Sequence, residues 1–110
     1  MTPLSLEQIQ KELETTEVTP SRAADLGVIV SAKHGRACDA YNEAYALYAR
    51  KFNEIRPDFK SDTSAERHID NSEIGIKLHT WKWTIKKAEM IQKALNNLVY
   101  VKTAEARNQI

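Results

Sequence analysis

The positions of proline and glycine restrict the fold of this sequence more than any other feature. Proline is absent from residues 21–56 and 58–110, and the three glycines stand at positions 27, 35 and 75. Both residue types disfavour helix interiors, because proline lacks a backbone donor and glycine loses the most conformational entropy on folding. Alanine, glutamate, lysine, leucine and isoleucine are abundant. The sequence therefore predicts an all-α protein with long helices.

Capping signals predict where the first two helices begin. Ser5 followed by Gln8 is a capping-box pattern, which predicts a short N-terminal helix over about residues 5–16. Thr19 is a favourable N-cap residue, and Pro20 is favoured at the first helical position. A second helix is therefore expected to begin at Pro20.

Pro57 predicts the end of the second helix, because a proline disfavours helical geometry at the residue before it. The following segment "PDFKSDTS" has the composition of a turn, and Thr63 with Glu66 forms another capping-box pattern. The predicted segments are a second helix over 20–56, a turn over 57–63 and a third helix over 64–104.

Two long helices joined by a short turn predict an antiparallel hairpin. Apolar residues recur at spacings of three and four in both helices, as in a coiled-coil seam. The predicted seam residues are Tyr41, Tyr45, Tyr48, Phe52 and Ile55 in the second helix, and Ile74, Leu78, Trp81, Ile85, Ala88, Ile91, Leu95 and Leu98 in the third. Residues 1–110 are expected to form a single helical domain. Because an elongated hairpin encloses little core, we expect a homo-oligomer.

Charge and cysteine content limit the classes of partner and the compartment. Sixteen Lys and Arg residues oppose 15 Asp and Glu residues, for a formal net charge of +1. Any nucleic-acid contact must therefore depend on local clusters of cations. Cys38 is the only cysteine, which excludes an internal disulfide and suits a reducing cytoplasm, the expected location. No apolar run is long enough to predict a membrane span, and the N-terminus lacks the pattern of an export signal.

Patterns typical of catalysis or metal binding are missing from the sequence. There is no glycine-rich phosphate loop and no helical pair of histidines with zinc-binding spacing. His34 and Cys38 are four residues apart and share a helix face, but two ligands make an incomplete metal site. Cys38 is better interpreted as a small apolar packing residue. We therefore expect neither an enzyme nor a bound metal or cofactor.

Lysine and arginine residues cluster at two places. Arg50 and Lys51 lie near the end of the second helix, where interleaved acids also allow the simpler interpretation of mutually compensating charges. In the third helix lysines are opposed locally only by Glu89, which makes this stretch the most one-sided positive patch. The candidate nucleic-acid-binding residues are Arg50, Lys51, Lys82, Lys86 and Lys87.

Trp81 and Trp83 are two positions apart in the third helix, so their side chains point about 200° apart. If Trp81 belongs to the hairpin seam, Trp83 lies on the opposite face beside the lysines. Trp83 then has three interpretations. It forms a subunit contact, it stacks on an unpaired base, or it packs under the first helix.

Two strings of this sequence resemble the UvsY-like recombination mediators of tailed phages. "YALYARKFNEI" resembles the basic helix motif of that family, and "SLEQIQKEL" resembles its opening amphipathic helix. "TWKWTIKKAEMIQKALNNLVYV" is similar in being a long amphipathic helix with an aromatic midpoint. The resemblance assigns DNA contact to Arg50 and Lys51. It implies a ring-like homo-oligomer that binds single-stranded DNA cooperatively and contacts a RecA-type recombinase and a single-strand binding protein.

These features together predict a non-catalytic, phage-type accessory protein of the host cytoplasm. It would self-assemble and bind single-stranded DNA to assist recombination or replication by loading a recombinase. One alternative is a helical adaptor or inhibitor that binds a host protein without touching DNA. Another is a structural component of the virion.

Overall fold

The computed structural model describes residues 4–108, with side chains described for residues 4–100. Within that part of the chain the protein is all-helical and has no strand. The elements in chain order are α1 (Leu6–Thr15), α2 (Pro20–Ile55), a 3-10 turn (Arg56–Asp58), α3 (Asp62–Asp70) and α4 (Glu73–Asn108). The predicted all-α class with a pair of long helices is confirmed.

Side-chain caps define the starts of α1 and α2 as predicted. The Ser5 backbone N–H donates to Gln8 Oε1 at 2.8 Å, and the Gln8 N–H donates to Ser5 Oγ at 3.1 Å, which completes the capping box. The Arg22 N–H donates to Thr19 Oγ1 at 3.1 Å, and Pro20 is the first residue of α2. These contacts satisfy backbone donors that have no partner within a helix.

The turn after α2 is held by Arg56, which follows the last residue of the helix. Its guanidinium donates to the Phe59 carbonyl oxygen at 2.7 Å and also pairs with the Asp62 carboxylate. Pro57 lies in the 3-10 turn, as expected from its effect on the preceding residue. One side chain therefore connects the end of α2 to the start of α3.

The predicted third helix over 64–104 is two helices, and its predicted N-cap is wrong. The Ser64 N–H donates to Ser61 Oγ at 3.1 Å, so α3 begins after Ser61 and not at the Thr63 capping box. α3 then ends at Asp70, and α4 starts at Glu73. Residues 4–108 thus contain four α-helices where the sequence predicted three.

Gly75 allows the close approach of α3 and α4. A Cβ atom at this position would lie 2.2 Å from the Ile69 carbonyl oxygen and 2.6 Å from the Asp70 Cα atom. Both neighbours are backbone atoms, which cannot rotate away. The Ser72 hydroxyl also donates to the Ile69 carbonyl oxygen, so the end of α3 is satisfied at the break.

The chain divides into two compact units. The first unit comprises Met1–Gly35 and Lys86–Ile110, and the second comprises Arg36–Ile85. In the first unit α2 and α4 run antiparallel, because Ser31 contacts Gln92 and His34 contacts Glu89. α1 packs against both helices around one apolar core. The core residues are Leu6, Ile9, Val18, Ala23, Leu26, Val30, Ala88, Ile91 and Leu95.

The second unit buries smaller side chains and joins its three helices at Asp70. The Tyr48 hydroxyl donates to Asp70 Oδ1 at 2.9 Å, and His79 Nε2 lies 3.2 Å from the same oxygen. Burial and this hydrogen bond, together with the negative charges of Asp70 and Glu66, raise the pKa of Tyr48 to about 12. The buried apolar residues of this unit are Ala37, Ala44, Ala65, Ile69 and Leu78.

The predicted seam residue Leu78 of α4 is buried as expected, whereas the predicted seam residue Tyr45 of α2 is not buried. The Tyr45 side chain is 55% exposed, whereas α2 buries Ala37 and Ala44. Tyrosine carries a polar hydroxyl, so it satisfies a three-and-four spacing without being fully buried. Trp81, also expected in the seam, is 36% exposed.

Candidate functional site

Trp83 lies on the outward face of α4. Its side chain is 70% exposed, whereas Leu78 is buried. Five residues in a helix correspond to a rotation of about 140°, so Trp83 points away from the side that Leu78 buries. Ile76, seven residues before Trp83, is 57% exposed on the same face. At this exposure Trp83 is not part of the buried core of the second unit.

Lys82, the residue before Trp83, is also exposed, in a stretch of α4 that has no acidic residue. Residues 74–88 contain four lysines and no Asp or Glu. Lys82 makes no ion pair with any residue that the structure describes. Lys77, in contrast, lies 3.5 Å from Glu73. An ammonium group next to an exposed indole combines a phosphate ligand with a stacking surface.

Lys86 and Lys87 belong to the first unit and differ in their surroundings. Lys86 is exposed, whereas the Lys87 side chain is 29% exposed and its Nζ lies 2.9 Å from Glu7 Oε1 of α1. The hydrogen bond from Lys87 lowers the pKa of the Glu7 carboxyl, and the Lys87 charge acts in the same direction. Of these two predicted contact residues, Lys87 already has a partner.

Arg50 and Lys51 lie on α2 in the second unit. Arg50 is exposed and pairs with no acid in the described part of the chain, whereas Lys51 Nζ is 3.5 Å from Glu54 Oε1. No contact among the described side chains joins either residue to Lys82 or Trp83. The predicted binding residues are therefore distributed over two units, with Arg50, Lys51, Lys82 and Trp83 in the second and Lys86 and Lys87 in the first.

A groove of about 440 Å³ lies between α2 and α4 of the first unit and is lined by polar residues. Its lining includes His34 and Glu89, whose Nε2 and Oε1 atoms are 3.2 Å apart. His34 therefore contacts a carboxylate. Within residues 4–100, no three His, Cys, Asp or Glu side chains converge as metal ligands would. No helix in the described part of the chain has the length and apolar character that a bilayer span requires.

Three contacts, two made by Asp70 and one made by Glu7, have no signal in the sequence. Asp70 is separated by 22 residues from Tyr48 and by 9 from His79, and Glu7 is separated by 80 from Lys87. Spacings of three and four in a sequence identify residues that are neighbours on the same helix. Contacts between helices depend on their tertiary arrangement, which that spacing does not encode.

Comparisons with known proteins add no relative. No family model, no curated protein and no solved structure matches the chain.

Proposed function

We propose that this protein is a non-catalytic accessory protein that self-assembles and binds single-stranded nucleic acid, as the UvsY-like recombination mediators do. Trp83 stacks on an unpaired base, and Lys82 contacts the adjacent phosphate. Arg50 and Lys86, both exposed, contribute further phosphate contacts, and Lys51 and Lys87 contribute after exchange of their present carboxylate partners. The partners of such a protein would be copies of itself, single-stranded DNA, a RecA-type recombinase and a single-strand binding protein.

The observation that carries this proposal is the exposed Trp83 indole beside Lys82 in an acid-free stretch. A large aromatic side chain in water is unfavourable unless a partner covers it, since burial of apolar surface contributes about 25 cal/mol per Å². The lysines favour an anionic partner over an uncharged one. Single strands expose base faces and phosphates at neighbouring positions, which matches this combination.

The positive charge of this face also favours an anionic partner over a second copy of the protein. Two copies paired through residues 74–88 would bring together four lysines that make no ion pair within the described residues, because each copy contributes Lys82 and Lys86. Like charges in contact destabilise helix pairs. Self-assembly is therefore better served by other exposed apolar residues, among which Val28 and Leu47 are exposed on α2.

Fluorescence anisotropy of labelled oligo-dT at two salt concentrations tests the proposal. Trp83→Ala should weaken binding by about 1–3 kcal/mol, which is roughly fivefold to 150-fold in Kd, because one stacked base is lost. Trp81→Ala is the matched control, since it removes the same side chain at a less exposed position. A larger loss for Trp81→Ala than for Trp83→Ala would contradict the assignment.

The number of phosphate contacts has its own readout. Lys82→Ala should reduce the slope of log Kobs against log salt by about 0.7, the value per phosphate for single strands. If copies assemble, each subunit repeats this contact, and the slope of the assembly is correspondingly steeper. The mass by light scattering should therefore be a multiple of 12.5 kDa. A monomer with no affinity for oligo-dT would overturn the proposal.

A protein-binding adaptor or inhibitor is the second candidate, and the exposure of Ile76 favours it. Isoleucine has no stacking surface, and at 57% exposure beside Trp83 it extends the apolar area of this α4 face. Protein interfaces bury such apolar clusters. In that case Ile76→Ser would impair capture of a protein partner while affinity for oligo-dT stayed absent in all variants.

A further inference from the structure

Glu7 contacts one of the lysines that the proposed function assigns to phosphate. The carboxylate stands in the first turn of α1, and Lys87 belongs to α4 of the same unit. Their 2.9 Å contact links residues that are 80 positions apart in the chain. Carboxylate and phosphate oxygens accept hydrogen bonds from the same ammonium hydrogens. A phosphate at Lys87 would therefore lie beside a negative charge.

We propose that Glu7 occupies Lys87 in the free protein and that a nucleic-acid phosphate must displace this carboxylate to bind Lys87. This inference rests on the proposed function. Through Glu7, α1 thus competes with the nucleic acid for Lys87, in addition to packing in the core of the first unit. The competitor is built into the chain, so its local concentration does not depend on the protein concentration.

The exchange requires no movement of α1. Leu6 and Ile9 of α1 are buried in the core of the first unit, so the helix is anchored through its apolar side. The Glu7 side chain is 70% exposed and reaches the lysine from the solvent side. Rotation about its own side-chain bonds is enough to release Lys87. Exposed pairs of this kind are weak, which makes the competition partial and reversible.

Glu14 provides a matched control on the same helix. It is an exposed glutamate of α1 and makes no ion pair with any residue in the described range. Glu14→Gln therefore changes the net charge of the protein by the same amount as Glu7→Gln without touching Lys87. A general electrostatic effect on DNA binding would be common to both variants.

A double-mutant cycle measured with labelled oligo-dT tests the competition for Lys87. Glu7→Gln should tighten binding by up to about fivefold, the range expected for removal of an exposed ion pair. It should also steepen the salt slope by up to about 0.7, because a phosphate then engages Lys87 in all complexes and not in only part of them. Glu14→Gln should change Kd less, and in a Lys87→Ala background Glu7→Gln should tighten binding no more than Glu14→Gln does. Any effect of Glu7 on α1 itself is present in both backgrounds and cancels.

Two outcomes would overturn the competition alone. One is an equal gain in affinity for Glu14→Gln. The other is a gain from Glu7→Gln that still exceeds the gain from Glu14→Gln in the Lys87→Ala background. If the wild-type protein and every variant fail to bind oligo-dT at micromolar concentration and low salt, the proposed function is wrong and the competition is overturned with it.

Discussion

The two compact units of this protein are stabilised in different ways. The first unit, Met1–Gly35 with Lys86–Ile110, buries a continuous cluster of leucine, isoleucine and valine side chains under α1. The second unit, Arg36–Ile85, buries three alanines with one isoleucine and one leucine, and joins its helices through Asp70. It also carries both exposed tryptophans. Most of the large buried apolar side chains thus lie in the first unit, whereas the second unit exposes Trp83, Ile76 and Leu47.

This difference predicts which unit contributes more to the stability of the fold. A core of large side chains contributes free energy of folding in proportion to the apolar area it removes from water. A unit that leaves Trp83 and Ile76 in water forgoes that contribution, and under the proposed function this exposed surface meets the partner. Substitutions in the first unit should therefore affect stability most, and those on the outer face of the second unit should affect binding.

The same substitution in the two units should give the largest contrast. Leu26 is fully buried in the first unit, and Leu47 is half-exposed in the second. Leu26→Ala should lower the free energy of unfolding by about 2–5 kcal/mol, because it leaves a cavity. Leu47→Ala should lower it by less than about 1 kcal/mol. Urea denaturation followed by circular dichroism measures both, and equal losses would contradict the contrast.

Alanine at two glycines should give effects of opposite sign. Gly75→Ala brings a Cβ into the backbone of Ile69 and should cost about 1–3 kcal/mol through overpacking. Gly35→Ala meets no atom within 4 Å and should stabilise α2 by about 0.5–1 kcal/mol. Thermal unfolding of the two variants provides the measurement. A stabilised Gly75→Ala protein would show that α3 and α4 do not approach as closely as described.

Tyr48→Phe should have a smaller effect, which depends on pH. Loss of the hydrogen bond to Asp70 should cost about 0.5–1.5 kcal/mol at neutral pH. The pKa of Tyr48 is raised from 10.0 to about 12, so the folded state holds the proton more tightly than the unfolded state does. This contribution is fully present below pH 10 and is lost as the pH rises toward 12.

Denaturant titrations between pH 8 and pH 12 test this dependence on Tyr48. The wild-type protein should lose more stability over this range than Tyr48→Phe does. Tyr45→Phe is the control, because Tyr45 is largely exposed and has no hydrogen bond to Asp70. If Tyr45→Phe removes the same step, the alkaline loss does not come from the contact between Tyr48 and Asp70.

The sequence predicted features that depend on neighbours along the chain. The Ser5 capping box, the start of α2 at Pro20 and the two long helices follow from local backbone chemistry. The break between α3 and α4 was not predicted, because apolar spacing continues across it. The start of α3 was placed wrongly, because Ser61 and not Thr63 caps this helix. Helix spacing locates hydrophobic faces but does not reveal a change of direction.

The candidate site was predictable only as a set of exposed residues. Trp83 was expected opposite Trp81 from the angle between them, and its exposure agrees with that placement. The distribution of Arg50 and Lys87 over different units was not predictable, since charge clusters in the sequence carry no tertiary distances. The partner of Lys87 on α1 was equally hidden.

The smallest expected effect concerns the ion pair of the first unit, in contrast to the Tyr48 contact of the second. The Lys87 hydrogen bond and charge lower the pKa of the Glu7 carboxyl. Stability from this pair is therefore present above the unfolded value of 4.5 and is lost as the pH falls through the lowered folded pKa. Carboxyl-detected NMR titration should show the Glu7 pKa rise in Lys87→Ala and stay lowered in Lys86→Ala. A Glu7 pKa that does not respond to Lys87→Ala would mean that the pair does not persist in solution, because a side chain 70% exposed gains a lowered pKa here chiefly from that lysine.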